Sequence, residues 1–172
     1  MIQPIVLYGD NILRYSTDSY KQNEDVSDII KDLWDTMYNA GGWGLAAPQI
    51  DISKKIFVVD IPDENFKQVF INPIIKHQYG SIERIEEGCL SIPGITGFIS
   101  RERKIEIHFY DENWKFQNMK FQNLKARVIQ HEYDHLNGTL WIDRVDLKDD
   151  IRILPHLLNI TKRNIEVFYP IK

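Results

Sequence analysis

Residues 130–136 read QHEYDHL, and no other stretch limits the possible folds as strongly. His131 and His135 stand four apart, with Glu132 directly after the first. On a helix, side chains at i and i+4 project the same way, with Cβ atoms roughly 6 Å apart, so two imidazoles can reach one cation. Glu132 sits beside them, where it can take a proton from water without ligating that cation. The bland alternative is a helix with scattered polar residues. Over NLKARVIQHEYDHLNG, however, Leu124, Val128, His131 and His135 share one face. Both histidines are therefore expected on a buried side, where imidazoles without partners are costly. Asn123 is the expected N-cap of this helix and Gly138 its C′ residue.

Around that helix the chain reads as a mixture. VSDIIKDLWDTMYNA (26–40) carries Ile29, Ile30, Leu33, Trp34, Met37 and Tyr38 in the rhythm of an amphipathic helix, opened by Asp25 or Ser27 and closed by Gly41-Gly42. GGWGLAAPQ (41–49) reads as a loop. KIFVVD (55–60), QVFINP (68–73), KIEIHFYD (104–111) and KFQNMKF (115–121) read as strands. From Tyr79 to Ser100, with Gly80, Gly88, Pro93, Gly94 and Gly97, an irregular segment is expected. DRVDLKDD (143–150) reads as a charged turn, IRILPHLLN (151–159) as a short helix interrupted by Pro155, and IEVFYPI (165–171) as a strand-like tail. This order predicts one α+β domain over 1–172, with antiparallel or mixed β-sheets around the helix that carries the histidine pair.

Composition narrows the function classes. The 172 residues are 43% hydrophobic and 27% charged, enough for a core without cross-links. The net charge is −4, and no basic run exceeds two residues, which argues against sequence-specific nucleic-acid binding. The lone cysteine, Cys89, has no partner for an intramolecular disulfide. There is no signal-peptide pattern at the N-terminus and no apolar stretch long enough for a membrane span, so a soluble cytoplasmic protein is expected.

A catalytic metal needs a third protein ligand and an open position. The residues alone leave His77, His108, His156, Cys89 and the carboxylates as candidates. His108 alternates with the apolar face of its strand and is expected to face solvent. His77 and His156 fall in turn-like or tail regions. Cys89 lies in the glycine-flanked IEEGCLSIPGI, where a small buried hydrophobe is the ordinary fate of a free cysteine. Gln49 closes GWGLAAPQ, whose Gly42 and Gly44 permit close backbone approach. Its amide can donate to a developing oxyanion, although a Gly/Ala-rich turn ending in glutamine is commonplace.

Taken in order, GWGLAAPQ (42–49), EGCLS (87–91) and QHEYDHL (130–136) resemble the three motifs of the peptide deformylases. YGDNILR near the start, FINP at 70–73 and ARVIQHEYDHLNGTLWIDR at 126–144 extend the resemblance along nearly the whole chain. It implies hydrolytic removal of the formyl group from the N-terminal formyl-methionine of new polypeptides, with release of formate. It implies Cys89, His131 and His135 as ligands of one divalent metal per chain, Fe²⁺ in the cell, with Zn²⁺, Ni²⁺ or Co²⁺ able to take its place. Glu132 is implied as the acid/base, and Gln49 with the backbone N–H of Leu90 as oxyanion donors. Gly44 and neighbouring backbone would hydrogen-bond the substrate as an added strand. Gly42, Trp43, Gly44, Val128 and Ile129 are the expected substrate-pocket residues. The implied partners are N-formylmethionyl nascent peptides and, beside them, the ribosome near the exit tunnel; no membrane partner is expected.

Four positions depart from the usual pattern of that family. Trp43 stands between the glycines where a smaller aliphatic is common, and Asp51 follows APQI where glycine is frequent. Arg101-Glu102 replaces an Arg-Pro, and the tail is not helical. Two other readings share parts of the evidence. A zinc endopeptidase would share the helix and the base, but it typically takes a third histidine or a glutamate instead of the EGCLS cysteine. A non-catalytic binder of peptide N-termini would not need Glu132 and Gln49.

Overall fold

The computed structural model describes residues 1–145 and 151–172; the charged turn expected over 143–150 lies largely outside them. Among the described residues, five strands form one sheet in sequence order: β1 (Gly44–Ala46), β2 (Ile56–Ile61), β3 (Phe66–Cys89), β4 (Ile92–Tyr110) and β5 (Phe116–Gln122). Every ladder is antiparallel. Parallel pairing is confined to the isolated bridges Ile5–Ile171 and Asp18–Lys54, so the sheet is not mixed. Three α-helices accompany it: α1 (Ser27–Asn39), α2 (Asn123–Leu136) and α3 (Ile153–Thr161).

Helices α1 and α2 cover opposite faces of the β1–β3 region. Phe57 and Val59 of β2 join Ala46, Phe70, Ile105 and Ile107 under Ala126, Ile129 and Leu136 of α2. Val58 and Ile56 turn the other way, toward Leu45, Val69 and Ile71 under Leu33 and Met37 of α1. Burial on both faces is why IFVVDI reads as a continuous apolar run without alternation. A third cluster gathers the N-terminal arm (Val6, Leu7, Leu13), Ile92 and Ile99 of β4, Trp141, and Ile153, Leu157 and Ile160 of α3.

Several elements differ from the sequence reading. The segment from Tyr79 to Ser100 is the far half of the long β3–β4 hairpin, closed by the two-residue turn Leu90-Ser91. Register shifts between Tyr79 and Ile82 and between Glu87 and Cys89 absorb Gly80 and Gly88. GGWGLAAPQ is not a plain loop: Gly44–Ala46 pairs with Val59–Phe57 as an edge strand, and Ala47–Ile50 forms a 3₁₀ turn. Asn123 is not an N-cap. It sits at φ 59°, the left-handed kink that passes β5 directly into α2, and its side chain accepts from Arg103 instead. Gly138 is at C′ as expected, at φ 69°. Pro155 lies in the first turn of α3, where no backbone N–H is required, so it does not interrupt the helix. The tail after α3 makes a single bridge, at Ile171, and is not a full strand.

Candidate active site

Helix α2 presents Leu124, Val128, His131 and Glu132 to a cleft of about 560 Å³. Of the face shared in the sequence, Leu124, Val128 and His131 reach the cleft while His135 is buried, and the core-facing side is Ala126, Ile129 and Leu136. Ile129, an expected pocket residue, is fully buried against the sheet; one helical step of 100° carries it away from Val128 and the cleft. Gly42, Trp43, Gly44 and Val128 do line the cleft.

The tight turn ending β3 brings Cys89 to the helix. Its Sγ lies 3.3 Å from His135 Nε2, and the ligand atoms of Cys89, His131 and His135 all fall within 4.8 Å of one another. A tetrahedral centre with a sulfur at about 2.3 Å and a nitrogen at about 2.0 Å separates those donors by about 3.5 Å. A thiolate and two imidazoles also suit zinc or iron chemically. The donor set therefore fits one divalent cation. The other histidines lie elsewhere: His77 is exposed on β3, His108 packs on Phe116, and His156 on α3 meets the Pro93 carbonyl at 2.7 Å.

Glu132 is 4% exposed, and its Oε2 finds no hydrogen-bond partner. Burial pushes its carboxyl up to about 7, against the pull of His131 and Arg101. An ionisable carboxyl held near neutrality suits proton exchange in both directions. Gly44 leaves the room it occupies, since a Cβ there would stand 2.4 Å from Glu132 Oε1. Gln49 is 2% exposed and held at both ends of its amide. The Ala46 N–H donates to its Oε1 at 2.9 Å, which turns Nε2 toward Ser91 Oγ at 3.2 Å and Cys89 Sγ at 3.6 Å.

A layer of buried charge lies behind these donors, and nothing in the sequence reading singled it out. His131 Nδ1 donates to Glu87 Oε2 at 3.0 Å, leaving Nε2 for the cation side. Glu87 also accepts from Arg101 at 2.7 and 2.9 Å and from Arg127 at 2.6 Å. Arg101 reaches on to Asp134 at 2.8 Å, which Arg144 grips at 2.7 and 2.6 Å. Burial opposes charge on Glu87, but His131 and Arg101 hold its carboxyl well below the usual range. Burial likewise opposes charge on both imidazoles. It leaves His135 well below its ordinary value, whereas Cys89 and Glu87 raise His131 to about 10. Glu87 and Asp134 sit inside the quoted motifs, but no periodicity marks a buried charge. Their only signal in the sequence is that each lies within a quoted motif.

A family model described as polypeptide deformylase matches residues 2–150. The peptide deformylase of Karelsulcia muelleri is 44% identical, over 84% of this chain and 79% of that protein. That of Cytophaga hutchinsonii is 39% identical, over 100% of this chain and 97% of its own length. Among solved structures, a peptide deformylase from Legionella pneumophila superposes with a TM-score of 0.86 at 33% identity, covering 95% of this chain and 98% of that one. The Synechococcus elongatus enzyme, solved in complex with actinonin, gives 0.80 at 36%, covering 94% and 85%. With the motif residues converging on one cleft and these likenesses running along the chain, the protein belongs to the peptide deformylase family.

Proposed function

We propose that this cleft removes the formyl group from N-terminal formyl-methionine of newly made polypeptides, using a metal held by Cys89, His131 and His135. The observation that carries the reading is the convergence of these donors with the unpartnered Glu132 carboxyl and the oriented Gln49 amide. Once held there, a divalent cation would supply Lewis acidity to water and to the formyl oxygen. Glu132 accepts the proton of the attacking water and returns it to the departing amine. As carbon becomes tetrahedral, negative charge grows on the former carbonyl oxygen. The Gln49 amide and the Leu90 N–H stabilise it, at roughly 3 kcal/mol for one such donor. Edge strand β1 offers its free side to the peptide, and Val128 and Leu124 offer an apolar wall to the methionine side chain. Formyl is the smallest acyl group, so a narrow space beside the metal excludes longer chains by sterics.

We further infer that residues 1–172 act as one catalytic domain. Iron is the metal in the cell, and the enzyme works in the cytoplasm on chains emerging from the ribosome. No helix among the described residues is long and apolar enough to cross a membrane. The test is formate release from formyl-Met-Ala-Ser by anaerobically purified protein, beside acetyl-Met-Ala-Ser and casein. Only the formyl peptide should be consumed. Comparable turnover of the acetyl peptide removes the tight acyl site, and casein cleavage returns the endopeptidase reading. Glu132→Ala should keep its metal and lose at least a thousandfold in kcat; formate release near the wild-type rate would take Glu132 out of the mechanism.

A further inference from the structure

The last residues of the chain return to the active site. Tyr169 is 7% exposed, and its hydroxyl donates to the Leu90 carbonyl at 2.7 Å. Leu90 occupies the β3–β4 turn between the ligand Cys89 and Ser91, and packs with Ile5, Ala40 and Tyr169. The tail is fastened on both sides of that contact. Ile5 donates to the Pro170 carbonyl at 2.8 Å, and Lys172 N–H donates to the Ile5 carbonyl at 2.9 Å. The Lys172 ammonium pairs with Asp51, which holds a left-handed conformation at φ 65° directly after the Gln49 turn. From the arm, Val6 N–H reaches the Gln49 carbonyl at 2.8 Å, and Tyr8 N–H reaches the Ser91 carbonyl at 2.8 Å. Arm and tail thus brace both loops that carry the oxyanion donors, and among the described residues Tyr169 is the one tail side chain hydrogen-bonded to a donor-bearing residue.

We propose that Tyr169 is a positioning residue: by anchoring the Leu90 carbonyl, it fixes the two-residue turn so that the Leu90 N–H points at the oxyanion. This rests on the deformylase reading of the cleft. A two-residue turn can rotate its peptide planes at little cost in chain position, so packing alone does not set the direction of an N–H within it. The Tyr169 bond holds the Leu90–Ser91 peptide plane, and the Cys89–Ile92 pairing holds the chain just before it, so the Leu90 backbone between the two, and with it the N–H, is fixed. Burial also raises the Tyr169 hydroxyl above its ordinary range, which keeps it a neutral donor at any working pH. Removing the hydroxyl leaves substrate contacts in place, so the loss belongs to the transition state and falls on kcat.

Tyr169→Phe tests this, with Ile171→Ala as the companion that loosens the tail without touching the hydroxyl. Formyl-Met-Ala-Ser kinetics, zinc content, Tm and the Leu90 amide resonance of the zinc-loaded proteins are compared. Tyr169→Phe should lower kcat about tenfold, a fraction of what losing a whole oxyanion donor costs, with KM within about twofold. Its zinc content and Tm should stay near wild type, and its Leu90 amide signal should shift or broaden while α2 signals hold. Ile171→Ala should lower Tm and keep kcat within about twofold. Wild-type kcat in Tyr169→Phe overturns the proposal, as does an equal kcat loss in Ile171→Ala. Formate release by the unmodified protein is the control that separates this proposal from the reading beneath it.

Discussion

Gly44 and Glu132 are best understood as one unit. The glycine has ordinary extended backbone, so its identity answers to space and not to φ; a methyl group there would collide with Oε1, Cδ and Cγ of Glu132 at 2.4–2.7 Å. Glu132 is buried beside it, so a methyl group can be accommodated only by displacing the carboxyl from the place it holds. Gly44→Ala should therefore fold, at a cost of about 1–3 kcal/mol for overpacking, and keep its metal while kcat falls about a hundredfold. Formate kinetics beside metal analysis on one sample check this, and a variant as active as wild type would show that the Glu132 carboxyl has room to spare. The residue scale is also where the sequence is most informative about the site. Histidines at i and i+4, the acid beside them and the glutamine of GWGLAAPQ were readable because their chemistry is local. Which residue meets the histidine pair was not readable from the residues alone, because Cys89 reaches the helix only through the turn of a hairpin. The family resemblance supplied it.

At the scale of elements, the site is a junction of the β3–β4 hairpin with α2, and buried ions join them. Glu87 from β3 binds Arg101 from β4 and both Arg127 and His131 from α2. Such groups stabilise little against a well-packed apolar alternative, but removing one member strands the others. Glu87→Gln leaves two buried guanidinium groups short of a carboxylate and should cost about 3–5 kcal/mol in denaturant unfolding. The pH dependence has a definite sign. Glu87 is held below its ordinary 4.5, so its contribution is complete above that value and is lost as pH falls from there toward the depressed folded value. In chelator-treated protein, the stability gap between wild type and Glu87→Gln should narrow steadily as pH drops below about 4.5; a gap independent of pH would mean that Glu87 is not the titrating group. The same hairpin explains what was hidden in the sequence. The outer half of β3, from Lys76 to Arg84, is largely exposed, so no alternation marks it as a strand. Its glycines sit at register shifts, where they mimic loop signals. β2, by contrast, was readable because both its faces are covered.

The whole molecule brings Gln49, Cys89 and His131/His135 together from three separate parts of the chain. Cys89 and the histidine pair are more than forty residues apart, and an unfolded chain holds no preformed site for a cation. A metal on those donors therefore bridges the hairpin and α2 in the folded state alone, and its binding free energy adds to folding. Saturating zinc at a thousandfold over its Kd should raise stability by about 4 kcal/mol, and the Tm should climb with zinc concentration after chelation. Cys89→Ala removes the one member of the Cys89, His131 and His135 group that comes from outside α2. What remains is two imidazoles on one helix, which bind metal whether or not the hairpin is in place. In that variant the zinc-dependent rise in Tm should shrink to a small fraction of the wild-type value, with metal content falling in parallel. A full rise in Cys89→Ala would mean that the cation is seated on α2 alone. The family resemblance placed sulfur and imidazoles in one ligand set, but only the folded chain has them within 4.8 Å of each other. The zinc titration measures how much of the fold's stability passes through that meeting point.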